Sequence, residues 1–339
     1  MNENIIDWCK DKAIKRIARI PVPLFLLALM VFVFSLLSPR YLTVSNIVNI
    51  VLQTASGVGI VAIASFMGIC IGKTDLSLGA TISCTGMLAA KILATEAAGS
   101  NPLLYILFAI VAAMLLGMTI GAFNGFILSR TNIPAFIITV GTLRIGETIS
   151  RLLAGGSTIR INNAAFAMIG GGSFLNVVIG RRTIGLIPYA VVIMLILYII
   201  FTIVMRKSSF GTYMYAIGGN REAAALSGIN VDRIVFTVFI INGLIAAIGG
   251  IVLASRLTAA SANNGLGFEF NGIAAAVVGG ASMKGGKSTP LRTLIGAFII
   301  TAMRNGFNMV GMSNAIQMIS IGLVLIIIVG IDGIRSGRK

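Results

Sequence analysis

The stretch AAGSNPLLYILFAIVAAMLLGMTIGAFNGFILS, Ala97 to Ser129, carries no charged residue. An α-helix rises about 1.5 Å per residue, so about 20 apolar residues cross the hydrocarbon core of a bilayer, and this window is longer than that. Uncharged windows of similar character lie at 20–39, 41–72, 183–205, 234–255 and 305–331. With 57% hydrophobic and 11% charged residues, the chain has too little polar surface to clothe a water-soluble domain. It reads as an all-α polytopic membrane protein.

Shorter apolar windows at 76–90, 131–143, 270–283 and 293–303 lie between those spans, in a chain with no soluble domain to hold them. They are read as short or broken spans. Ten spans result, near 21–39, 47–72, 75–91, 103–128, 134–152, 186–205, 234–255, 270–284, 293–310 and 314–331. Most of the 26 basic residues then fall on the side of both termini, among them Lys10, Lys12, Lys15, Arg16, Arg19, Arg206, Lys207, Lys284, Lys287, Arg335, Arg338 and Lys339. Positive charge marks cytoplasmic segments, so both termini and the 206–233 and 284–292 loops are expected in the cytoplasm. The net charge of +16 is thereby accounted for without a nucleic-acid partner. Residues 1–20 are read as a cytoplasmic leader, 21–332 as one transmembrane domain and 333–339 as a cytoplasmic tail.

The chain has no histidine, and Cys9, Cys70 and Cys84 have no metal-ligand spacing. No metal site, nucleophile–base pair or other catalytic residue is indicated, so an enzyme is not expected. The segment VVGGASMKGGKSTP, Val277 to Pro290, comes close to a phosphate-binding P-loop, but Ala281 stands where its first glycine belongs. It is read as a glycine-rich turn. Gly117, Gly121 and Gly125 recur every four residues, as do Gly272, Ala276 and Gly280. Small residues at that spacing let helices approach closely in lipid, within a subunit or between two. IGAFNGFILSR at 120–130 is echoed by IGAFIITAMR at 295–304, five spans later and therefore in the opposite sense, as in an inverted repeat.

In the loop from Arg206 to Ile234, Asn220 is placed to cap a short helix, Glu222 to favour its first turn, and Gly228 to stop it. Ala223 and Ala224 are small enough for a neighbouring backbone to approach. AIGGNREAAALSGI at 216–229 resembles the coupling-helix motif of the permease subunits of ribose/galactose/xylose-type ABC sugar importers. GKTDLSLGA at 72–80 is similar to that family's GGIDLSVGA, departing at Lys73 and Thr74; IPAFIITVGTL at 133–143 and NNGLGFEFNGIAAAVVGGASMKGGK at 263–287 resemble two further family motifs.

The resemblance implies a permease in the bacterial cytoplasmic (inner) membrane that forms a pathway for a neutral monosaccharide, pentose ahead of hexose. It implies that this chain binds no cofactor. ATP and Mg would be used by a separate cytoplasmic ATPase with two nucleotide-binding halves, and solute would come from an extracytoplasmic sugar-binding protein. Family members pair as two permease subunits, here a homodimer in the bilayer. ATPase contact would fall to Gly219, Asn220, Arg221, Glu222, Ala223, Ala224, Ser227, Gly228 and Ile229. Permeases for autoinducers, nucleosides, polyols or branched-chain amino acids share the architecture and remain alternatives, as does an ion-coupled secondary transporter.

Polar residues in the spans are the pathway candidates: Gln53, Asp75, Asn124, Thr142, Glu269, Asn271, Asn305 and Asn308. Each has a structural alternative. Asp75 can cap the helix that follows it, and the asparagines can bond between helices. Arg144 and Glu147, three apart on one helix, can neutralise each other.

Overall fold

A computed structural model describes residues 22–179, 182–185, 187–286, 288–313 and 315–323, with 326 and 330. The expected leader, the tail, Cys9, Lys287 and part of the last expected span lie outside the described residues. Helix α1 is Val22–Leu37. Helices α2 (Val44–Gln53) and α3 (Gly59–Cys70) join through one π turn, Thr54–Val58, into a single rod. Then come α4 (Leu78–Leu93), the short α5 (Glu96–Ser100), α6 (Pro102–Arg130), α7 (Ala135–Ala154) and α8 (Ala164–Gly171). Helices α9 (Tyr189–Lys207), α10 (Ser209–Gly219), α11 (Arg221–Leu226), α12 (Val231–Leu257), α13 (Phe268–Val278) and α14 (Pro290–Met309) complete the named set.

Among the described residues four helices are long and apolar enough to cross a membrane: the rod Val44–Cys70, α6, α9 and α12. Their roles differ by burial. Every residue of α3 is buried, as is most of the second half of α12, so these two form the interior. On α6 the outward Leu103, Leu107 and Phe108 are exposed while Gly117, Gly121, Asn124 and Gly125 face inward. A helix apolar on its exposed face suits lipid rather than water.

The glycine stripe of α6 packs within the chain. A side chain at Gly121 would run into the Phe239 carbonyl, and one at Gly243 into the Gly117 carbonyl, so α6 and α12 touch backbone to backbone. The second stripe is shorter than its spacing suggests. Gly272 packs on Ser65 and Val61, but Gly280 lies beyond the end of α13 in a turn at φ +96°. The four-residue period continues past the helix because sequence spacing does not mark where the chain turns.

Two further apolar helices are too short to cross a bilayer. At 1.5 Å per residue, the 16 residues of α4 and the 11 of α13 reach about 24 and 16 Å, short of the roughly 30 Å hydrocarbon core. A segment without regular structure at 74–77 leads into α4, and a turn at 261–267 leads into α13. Beyond α7, β1 (Ile159–Arg160) pairs antiparallel with β4 (Ala259–Ala260), and β2 (Asn176–Ile179) with β3 (Arg182–Gly185). Asn163 caps α8 through the Phe166 N–H at 3.0 Å, and Ser255 accepts the Gly170 N–H at 2.7 Å, pinning α8 to α12.

The P-loop lookalike is a structural turn at the face that carries α11. Gly285 N–H bonds Ser282 O at 3.0 Å, and Gly286 N–H reaches Cys70 O at 3.1 Å. Tyr215 donates its hydroxyl to Ser288 O at 2.5 Å; burial pushes its pKa up to about 12, which keeps it a donor.

Candidate functional site

Asp75 lies in the irregular segment, three residues before the first residue of α4, so it does not occupy the cap position that the sequence suggests. Ser77 does. The buried Asp75 carboxylate instead accepts the Ser77 N–H at 3.0 Å and the Ser77 hydroxyl at 2.6 Å. Ser77 Oγ in turn accepts from Asn124 Nδ2 at 2.9 Å, and Asn124 Oδ1 accepts the Thr142 hydroxyl at 2.5 Å. Three expected pathway residues, Asp75, Asn124 and Thr142, thus belong to one relay tying α4 to α6 and α7. Every donor points toward the carboxylate, an arrangement in which successive hydrogen bonds polarise one another. Asn242, fully buried on α12, brings its amide beside Asp75 without closing a hydrogen bond of good geometry. Sequence reading missed Asn242 because it sits inside an otherwise uninterrupted apolar window.

The break before α13 is chemically open. Glu269 is 2% exposed; its Oε1 accepts the Gly267 N–H at 3.2 Å, and its Oε2 has no hydrogen-bond partner. That carboxylate rests against Gly79 in the first turn of α4, where the helix dipole favours negative charge and a side chain would collide with it. Ser83 of α4 holds the same loop by accepting the Gly265 N–H at 2.8 Å. The ring of Phe268, next to Glu269 in the chain, covers Gly57 in the π turn, and within that turn Ser56 Oγ accepts from Arg256 Nη1 at 2.8 Å. π turns inside α-helices are frequent at functional sites. Ser56 and Arg256 were not expected here: Arg256 falls one residue past an apolar window and reads as a loop residue.

The remaining expected residues take no part in the relay's hydrogen bonds. Asn271 is buried on α13 and Gln53 is half-buried at the end of α2. Asn305 Oδ1 accepts from Asn46 Nδ2 at 2.9 Å and Asn308 Oδ1 from Gln317 Nε2 at 2.7 Å, so both fasten α14 to neighbouring segments. Arg144 pairs with Glu147 at 3.0 Å on α7, the arginine largely exposed and the glutamate mostly covered.

The short helix of the 206–233 loop forms as its residues dictate. Asn220 Oδ1 accepts the Ala223 N–H at 2.9 Å, and Gly228, at φ +83°, ends the helix with its N–H on Ala225 O while Ile229 N–H bonds Ala224 O. Arg221 pairs with Asp232 at 3.4 Å. Gly219, Glu222, Ala223, Ser227 and Gly228 are exposed and Ile229 is half-buried. Ala224 is 4% exposed and packs into this chain's own core. The apolar residue presented outward is Leu226, at 90% exposure, which the sequence reading passed over because a leucine in a helix reads as core.

A bundle of apolar helices with two broken spans meeting inside it, and a capped helix standing out from one face, defines a membrane permease. Over residues 46–329 the chain matches the family described as branched-chain amino acid transport system / permease component. It is 33% identical over 317 residues to the ribose import permease of Haemophilus influenzae, covering 92% of this chain and 93% of that one. It is 34% identical over 313 residues both to the ribose import permease of Escherichia coli K12 (91% and 92% covered) and to that organism's D-allose transport system permease (92% and 91%). No solved structure matches. The chain belongs to this permease family, in the branch of ribose-type ABC importers whose motifs it carries.

Proposed function

We propose that this chain is the membrane subunit of an ABC importer that passes a neutral monosaccharide, a ribose-like pentose ahead of a hexose, through the bacterial inner membrane. The observation that carries the reading is the junction of α4 and α13. There a buried carboxylate keeps one oxygen without a hydrogen-bond partner, next in the chain to the aromatic Phe268, in a chain similar along its length to ribose and allose permeases. Sugar hydroxyls donate to carboxylates and accept from guanidinium groups, and sugar rings stack on aromatics. A permease needs such contacts to be few, since tight binding would trap the solute.

In this reading a homodimer of the chain spans the bilayer through ten helices per subunit, both termini are cytoplasmic, and an extracytoplasmic sugar-binding protein delivers the solute. The successive arrangement of a 27-residue rod, a half-helix and a further long helix occurs twice, in α2–α6 and in α12–α14, which supports an inverted repeat. A separate cytoplasmic ATPase with two nucleotide-binding halves would bind ATP and Mg and grip α11 through Leu226 and Glu222. Its closure then shifts the permease between two conformations by fitting one better than the other.

The test is ATP-driven uptake of labelled ribose, galactose and a nucleoside by the reconstituted complex. Uptake of a monosaccharide that survives collapse of a proton gradient is expected; loss on collapse would point to a secondary transporter. Leu226→Asp and Glu222→Lys should weaken ATPase association by about tenfold or more, because the first puts a charge in an apolar contact and the second reverses a charge against a basic partner. Normal assembly and uptake by both variants would remove α11 from the coupling role. For orientation, cysteine at Gly171 should label from outside intact cells and cysteine at Ser209 only after lysis; both positions are exposed and the native Cys70 and Cys84 are buried. The opposite labelling would invert the topology.

A further inference from the structure

Between the turn that follows α3, the turn that precedes α7 and the first residue of α11 lies a cavity of about 330 Å³. Its lining combines Lys73, Thr74, Asn132 and Arg221 with the apolar Ile133 and Phe136. The charges do not cancel. Arg221 is paired with Asp232, but Lys73 makes no ion pair among the described residues and is half-buried. Burial lowers the Lys73 pKa, Arg221 lowers it further, and Asp232 opposes them, so an anion arriving here relieves an existing cost. The first N–H groups of α7, which opens at this cavity, have no side-chain cap. From the rim, Phe136, Ile137 and Val140 continue along α7 as an exposed apolar strip. At Lys73 and Thr74 this chain has a cation and a hydroxyl where the GGIDLSVGA motif has glycine and isoleucine, while Leu78 for valine keeps an apolar residue.

We propose that this cavity binds a phosphate group, with Lys73 and Arg221 as counter-charges and Thr74 and Asn132 as further hydrogen-bonding partners. The apolar strip fits the acyl chains of an anionic phospholipid whose headgroup carries that phosphate. A soluble phosphate offers the same chemistry without using the strip. In either case the ligand ties the first residue of α11 to the segment that leads into α4. The site stands independently of which solute the permease carries.

The two sources are separated by two measurements on the full chain. Native mass spectrometry after reconstitution in phosphatidylcholine, with or without phosphatidylglycerol, reads retained lipid; equilibrium dialysis with labelled inorganic phosphate reads the soluble anion. The double variant Lys73→Gly/Thr74→Ile places the motif's own residues at both positions, and Lys73→Gln keeps side-chain length should the double variant not fold. Retention of phosphatidylglycerol by the wild type is expected to exceed that of either variant by about fivefold, from loss of one surface cation and its partner hydroxyl or amine. Phosphate binding lost in the variants, with no difference in lipid retention, would assign the site to a soluble phosphate. Equal lipid retention in all chains and no phosphate binding would overturn the proposal and leave a solvated basic cleft.

Discussion

Before α4 the chain runs without regular structure through residues 74–77, and before α13 it turns through 261–267, yet the two helices that follow both begin inside the molecule. Around the first break each polar group on the relay has a partner: Thr142 donates to Asn124, Asn124 to Ser77, and Ser77 to Asp75. Around the second, one Glu269 oxygen has none. A saturated buried network holds helices in place, whereas an unsatisfied carboxylate is costly unless something binds it. In the proposed function the difference separates a structural clamp from a place where solute can bind, although sequence reading put residues from both on one list of pathway candidates.

The junction between the two breaks can be broken outright. Gly79→Leu would drive a side chain into the Glu269 carboxylate and the Gly265 carbonyl, so the variant should lose about 3 kcal/mol and most of its folded yield. Thermal unfolding of the purified chain checks this, and a wild-type melting temperature would mean that the two half-helices do not meet. A second variant tests the open site alone. Glu269→Gln keeps shape and removes charge, so stability should change by less than about 1 kcal/mol. Uptake should fall about tenfold, seen as a change in KM, kcat or both in reconstituted vesicles. The clamp should behave in reverse. Asn124→Ala strips the relay of two hydrogen bonds and should cost about 2 kcal/mol, while uptake per folded molecule stays within about twofold. If Asn124→Ala silenced transport in well-folded protein and Glu269→Gln did not, the roles of the two breaks would have to be exchanged.

Much of this was legible in the sequence where the physics is local. The cap of Asn220 on Ala223 spans three residues, and the Gly228 stop follows from its positive φ, so both could be read directly. The period of Gly117, Gly121 and Gly125 announced a close helix contact, and the uncharged windows announced the long spans. Asp75 was recognised as important, but its local partner was placed wrongly because the helix starts three residues later than the motif suggests.

The sequence by itself determined that this chain lives in a membrane, to which permease family it belongs, and that a capped helix interrupts the spans near residue 222, because hydropathy, charge asymmetry and capping act over one helix or one turn. Only the tertiary structure decided which face of that helix is free, turning Ala224 inward and Leu226 outward. It likewise decided which polar residues meet, since Ser77 finds Asn124 across 47 positions and Arg256 finds Ser56 across 200. Such partners are selected by how α3, α4, α6, α12 and α13 pack, and packing is a property of the whole bundle that no single window of sequence contains.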